Sequence, residues 1–182
     1  MSAKYTFRLQ SEKQSRPFPH KLIIGQTSTE TTTDVLLHFL AYVLFFRERL
    51  QRHVNLDTDT IPFVPDLVQL DYELRPKLWV ECGECGLQKL HKLAIKAPEA
   101  DIWIVKPCES EALELKEAMV KKDLRTNRYS VIGFDHDMFE ELQGLLTERN
   151  AFFWVAGSLD PPRMQFEFNE LWFDTVFILL RH

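Results

Sequence analysis

Residues 65–84 read "PDLVQLDYELRPKLWVECGE": two short apolar runs, "PDLVQLD" (65–71) and "KLWVEC" (77–82), on either side of "YELRP". That pattern predicts two antiparallel strands around a tight connection. Asp66 follows Pro65 at the start of the first run, and Glu81 stands near the end of the second, 15 residues later. Antiparallel neighbours lie about 4.8 Å apart, so acids at matching ends of the pair can converge on one cation. Carboxylate oxygens are hard donors suited to Mg²⁺, an ion that keeps several waters and takes substrate phosphates. The same stretch runs on into a Cys82-x-x-Cys85 pair, a competing signal. Structural zinc needs four ligands, usually from paired motifs, and Cys108, His91 and His136 have no partner spacing. A redox dithiol would gain from a helix N-terminus, but Glu84 beside the thiols opposes a low thiol pKa. The cysteines read as ordinary small residues at a strand-to-helix turn.

On the N-terminal side, "KYTFRLQ" (4–10) and "HKLIIGQ" (20–26) alternate polar and apolar and predict a hairpin around Pro17 and Pro19. "TSTETTTDVLLHFLAYVLFFRERLQRH" then predicts one long helix, roughly 29–53, capped by Thr27, Ser28 or Thr29. Glu30 and Asp34 suit its first turns, and Arg47, Arg49 and Arg52 its last. Its apolar middle places it inside the molecule, with His38 as a hydrogen-bonded core histidine. A polar loop, "NLDTDTIP" (55–62), leads to the strand pair.

On the C-terminal side, 86–97 is helical, with Leu87, Leu90, Leu93 and Ala94 on one stripe and Lys89, Lys92 and Lys96 on another. "ADIWIVKP" (100–107) and "RYSVIGF" (128–134) are buried strands separated by a charged surface helix. "DHD" (135–137) caps a further helix rather than binding metal. "AFFWVAG", "MQFEFN" and "LWFDTVFIL" are late strands, and Trp79, Trp103, Trp154 and Trp172 are expected in the core. Strand and helix alternate in the middle while both ends are strand pairs. The fold class is therefore α/β, one domain over 1–182, with a mixed β-sheet flanked by helices, an N-terminal β-hairpin and C-terminal β-strands.

The totals narrow the function classes. The chain has 182 residues and a net charge of −5, so nucleic-acid contact needs a local basic face. Three cysteines argue against a disulfide framework and for a reducing compartment. "MSAKYTFRLQ" has no apolar h-region of a signal peptide, and the longest apolar stretch, "DVLLHFLAYVLFF", is too short to span a bilayer. A cytoplasmic protein without a membrane partner is expected.

"STETTTDVLLHFLAYVLFFRERL", "PDLVQLDYELRPKLWVECGE" and "KLHKLAIKAPEADIWIVKP" together resemble the YaeQ family of small bacterial proteins, most clearly over 27–107. The resemblance implies a PD-(D/E)xK, restriction-endonuclease-like fold and metal-dependent hydrolysis of DNA or RNA phosphodiesters. It implies Asp66 as the Pro-Asp acid, Glu81 as the (D/E)xK acid and Glu30 as the assisting helix glutamate. Mg²⁺ or Mn²⁺ would be held by Asp66, Glu81 and the Cys82 carbonyl. The usual lysine position, two residues after Glu81, is Gly83, a feature of the family's pattern. Residues i and i+2 of a strand share a face, so glycine there removes the cation from its usual place. Lys89 and Lys92, from the following helix, are the substitutes, and Lys77 lies about 13 Å along the strand, too far to serve. Lys89, Lys92 and Lys96 are the expected phosphate contacts, with nucleic acid as the partner. The alternative is a degenerate nuclease fold that binds nucleic acid or protein without cutting.

Overall fold

The structure is a computed structural model that describes residues 3–14, 16–54, 56 and 61–182. The loop read over 55–62 lies mostly outside these residues. Among them, four helices flank two mixed sheets. The first sheet has the order β10-β9-β8-β1-β2: β1 (Lys4–Ser11), β2 (Lys21–Gly25), β8 (Arg149–Leu159), β9 (Pro162–Phe168) and β10 (Leu171–Val176). The second has the order β11-β7-β6-β5-β4-β3: β3 (Leu50–Arg52), β4 (Leu67–Leu70), β5 (Pro76–Cys82), β6 (Asp101–Lys106), β7 (Tyr129–Gly133) and β11 (Ile178–Arg181). The one sheet expected from the sequence is thus two. β1 and β2 pair with the C-terminal strands β8–β10, β1 running parallel to β8, and only β11 of the chain-end strands extends the central sheet.

Helix α1 (Thr32–Leu44) lies between the sheets, and residues 35–44 are all buried. One apolar cluster joins it to Phe7, Leu9 and Phe152 of the first sheet and to Leu67, Leu78 and Val80 of the second. Phe39 stacks on Phe7 with ring centroids 4.1 Å apart. A helix apolar on all sides is what this sandwiched position demands. Helices α2 (Leu87–Lys96) and α3 (Glu109–Lys121) cover the other face of the second sheet, closing a second cluster around Trp79, Ile102 and Val131. Helix α4 (His136–Leu145) packs beside α1 through Met138, Phe139 and Leu142. Its N-cap is Asp135, which accepts the Met138 N–H at 2.8 Å, so "DHD" is a cap as read. Trp79, Trp103 and Trp154 are core residues, but Trp172 is 52% exposed on the uncovered side of the first sheet.

The long helix expected over 29–53 is shorter at both ends. It begins after Thr31, whose backbone N–H donates to Asp34 while the Asp34 N–H donates to the Thr31 hydroxyl, a reciprocal capping box. Thr27, Ser28 and Thr29 are therefore not the cap, and Glu30 lies just before the helix. At the other end the Arg16 guanidinium donates to the carbonyls of Val43 and Leu44 at 2.6 and 2.7 Å, occupying acceptors left open at a helix terminus. The chain then turns, and Leu50–Arg52 pair with β4. The basic residues expected in a last helical turn sit in that turn and strand.

The strand pair read from residues 65–84 forms in the expected register. Leu67 faces Val80 and Gln69 faces Leu78, which sets Asp66 beside Glu81 at the same end. Asp71 ties the connection by accepting the backbone N–H groups of Glu73 and Arg75 at 2.9 and 2.8 Å. The last strand splits as well: "LWFDTVFIL" is cut at Phe177, β10 staying in the first sheet and β11 crossing to pair with β7.

Candidate functional site

The C-terminal ends of β5 and β6, the start of β4 and the segment before α1 meet at one corner of the second sheet. Asp66 stands just ahead of β4. Its Oδ2 accepts the Cys82 backbone N–H at 2.7 Å, and its Oδ1 lies 3.3 Å from His38 Nε2 and 3.8 Å from His53 Nε2. Burial alone would raise the Asp66 pKa, but the hydrogen bond and charge of His38, with the Cys82 N–H, hold it below its ordinary value.

Glu81 is 3% exposed and points to the α2 side with Trp79. Its Oε1 accepts the Trp79 indole N–H at 2.6 Å, and its Oε2 takes the Lys89 ammonium at 2.7 Å. Burial raises the Glu81 pKa; Lys89 and Trp79 pull against that, and the Asp66 charge adds to it. The two acids are thus close enough to feel one another, yet each has its own partners, Asp66 toward α1 and Glu81 toward α2.

The backbone at Gly83 decides which way that position faces. Gly83 follows the end of β5 with φ +75°, and a Cβ there would meet Asp34 Oδ1 at 3.2 Å and Leu37 Cδ1 at 3.5 Å. The left-handed residue breaks strand alternation, so position 83 faces α1 and not the side of Glu81, correcting the i, i+2 expectation. Glu81 is paired with Lys89, from the first turn of α2. A second lysine, Lys106, ends β6 and is 6% exposed; with Lys89 it opposes the burial-driven rise in the pKa of the nearby Cys85. Sequence reading passed over Lys106 because a lysine at a strand end carries no spacing signal. Lys77 is engaged elsewhere, 2.6 Å from Glu99.

The three basic residues of α2 do not share one environment. Lys89 is in the site, and Lys92 lines a cleft of about 370 Å³ with Leu87, Gln88, His91, Lys122 and Leu124. Lys96 borders a separate depression beside Pro98 and Glu99.

Glu30 does reach the corner. Its Oε2 accepts the Thr27 N–H at 2.7 Å, leaving Oε1 toward His38 Nδ1 at 3.8 Å. His38 is therefore buried between two carboxylates, a role its place in an apolar helix did not reveal. The thiols are not activated. Burial, with the charges of Asp66 and Glu81, pushes Cys82 well up, and burial and Glu81 push Cys85 up to about 12. All three cysteines are free.

Residues 3–155 match the family profile described as "YaeQ protein". The chain belongs to the YaeQ family. The YaeQ match takes in all the corner residues above and reaches past the 27–107 segment that suggested it. The fold is that of the YaeQ protein of Xanthomonas axonopodis pv. citri (22% identity, TM-score 0.72, covering 100% of this chain and 99% of that one). The YaeQ protein of Pseudomonas syringae is also similar (15% identity, TM-score 0.73, 100% and 97% covered). Comparison with curated proteins gives no match. Among the described residues no helix is long and apolar enough to cross a membrane.

Proposed function

We propose that the chain is a metal-dependent nuclease of the restriction-endonuclease-like, PD-(D/E)xK type, hydrolysing DNA or RNA phosphodiesters. The observation that carries this reading is the Lys89 ammonium 2.7 Å from Glu81, with Asp66 at the matching end of the neighbouring strand. That is an acid, acid and cation set of the required chemistry, with the lysine supplied by a helix. The donors fit a hard divalent ion: Asp66, Glu81 and the Cys82 carbonyl offer only oxygen. Mg²⁺ or Mn²⁺ held by these residues would supply Lewis-acid charge at the scissile phosphate.

Glu81 would exchange Lys89 for such an ion, freeing the ammonium to orient the attacking water or a phosphate oxygen. The raised pKa of Glu81 makes that exchange harder at low pH. Lys92 and Lys122 would take phosphates along the strand.

A second reading, a fold that binds nucleic acid or protein without cutting, is favoured by one feature. Both Glu81 oxygens are already taken, by Trp79 and Lys89. The two readings part in one assay, with purified protein, Mg²⁺ or Mn²⁺, and a panel of single- and double-stranded DNA and RNA. The nuclease reading expects cleavage that Asp66→Ala, Glu81→Ala and Lys89→Ala each abolish. Binding without cleavage under every condition would leave the second reading standing.

A further inference from the structure

His38 is the one fully enclosed imidazole at this corner, and cleavage as proposed above makes no use of it. Three groups present donor atoms within 4.8 Å of one another: a Glu30 oxygen, a His38 ring nitrogen and a His53 ring nitrogen. Glu81 is not among them. We propose that Glu30, His38 and His53 form a binding site for a nitrogen-preferring divalent transition metal of the Zn²⁺ class, separate from the Asp66–Glu81 oxygen site.

Distances support an ion over a plain hydrogen-bond network. Glu30 Oε1 and His38 Nδ1 lie 3.8 Å apart, beyond the roughly 2.7–3.2 Å of an N–H···O bond. Ligand bonds of about 2.0–2.2 Å set tetrahedral donors roughly 3.3–3.5 Å apart, so a small contraction would seat an ion between them. The other half of the arrangement is already built. Asp66 Oδ1 sits 3.3 Å from His38 Nε2, on the ring edge opposite Glu30, and 3.8 Å from His53 Nε2. A carboxylate behind a ligating imidazole fixes its tautomer and raises its basicity, and Asp66 is itself held by the Cys82 N–H. Glu30 is pinned through its other oxygen by Thr27, which leaves one oxygen presented.

The ligand types point the same way. Two imidazoles and a carboxylate suit Zn²⁺ and its neighbours, whereas Mg²⁺ favours oxygen. Entry is open on one side, because the His53 side chain is 41% exposed and that of Glu30 17%, against 6% for His38. Two carboxylates, Glu30 and Asp66, outweigh the single nearby guanidinium of Arg52. Three protein ligands would leave an open coordination position, the pattern of reactive and exchangeable zinc sites.

The inference does not need the cleavage reading, and the two fail separately. The full chain, stripped with a chelator, is titrated with Zn²⁺ by calorimetry and with Co²⁺ by visible absorption. One equivalent should bind, and a large excess of Mg²⁺ should not displace it. His53→Ala, at a half-exposed position that the core does not depend on, should weaken Zn²⁺ binding by at least about 10-fold. His38→Gln and Glu30→Gln should do the same with unchanged circular dichroism, and Glu81→Gln should leave binding intact. Equal Zn²⁺ affinity in wild type and His53→Ala would overturn the proposal. So would a thiolate-to-cobalt charge-transfer band that Cys82→Ser removes, because it would put the ion on Cys82, Asp66 and the other edge of His38.

Discussion

Lys89→Met removes the ammonium 2.7 Å from Glu81 while keeping an unbranched apolar stem of similar reach. The Glu81 side chain is 4% exposed and that of Lys89 27%, so the pair is shielded from bulk water. A hydrogen bond between charged groups contributes roughly 1.5–3 kcal/mol, and the variant leaves a buried carboxylate with the Trp79 N–H alone to offset its desolvation. The expected loss at neutral pH is about 2–3 kcal/mol, or a fall in melting midpoint of about 4–12 °C for a chain of this size. The pH dependence follows from the raised Glu81 pKa. The fold favours the protonated carboxyl, so its contribution to stability declines as pH rises from the unfolded pKa through the folded one. Lys89 stabilises the ionised form in the fold, so the cost of Lys89→Met should grow across the window that begins at the wild-type folded pKa and shrink below it. Urea unfolding at stepped pH checks this, with Glu81→Gln and the double variant closing a cycle. Coupling of about 1.5–3 kcal/mol above the window is expected. A coupling under about 0.5 kcal/mol, or a Lys89→Met cost that does not change with pH, would show that the two groups do not act as a buried ion pair.

Gly83→Ala should cost about 1–2 kcal/mol from the left-handed backbone alone, with further strain against Asp34; thermal denaturation reads it. Gly83→Lys should restore no cleavage to Lys89→Ala, since position 83 faces α1. Asp66 has a depressed pKa, so its stabilisation is present above the unfolded carboxyl pKa and lost as pH falls through the folded value; in Asp66→Asn that acid-side slope should flatten in pH-stepped unfolding. Arg16→Met strips two carbonyl contacts from the end of α1 and should cost about 1–3 kcal/mol in urea unfolding. Gly133→Ala would push a methyl to 2.8 Å from Ala112 Cβ and 2.9 Å from the Cys108 carbonyl, and overpacking of this kind should lower stability by about 1–3 kcal/mol.

Much of the site was legible in the chain order. Pro65-Asp66, a short connection and Glu81 at the end of an apolar run specify two strands, and antiparallel register then sets the acids side by side. Lys89 and Lys92 were candidates through the family resemblance, which implies a cation from the following helix. Period-2 and period-3.6 patterns also carried the order of strands and helices, since burial of one face is a local demand on sequence. His38 is the buried, hydrogen-bonded histidine that an all-apolar helix implies, but nothing nearby in sequence signals Asp66 or His53 as its neighbours.

What the sequence by itself determined is the set of elements, β3 and the split of the last strand apart, and the pairing of neighbours, because those depend on side-chain periodicity and short connections. Only the tertiary structure decided the division into two sheets, the early end of α1 and the side that Gly83 faces. The sheets divide because β1 finds β8 across more than a hundred residues, a pairing no local pattern encodes. The helix ends where Arg16, folded back from the N-terminal loop, takes its last carbonyls. Gly83 turns to α1 because a positive φ at the strand end reverses the alternation that a strand would otherwise impose. That single dihedral turns position 83 away from Glu81, whose ion-pair partner is Lys89 from the next helix.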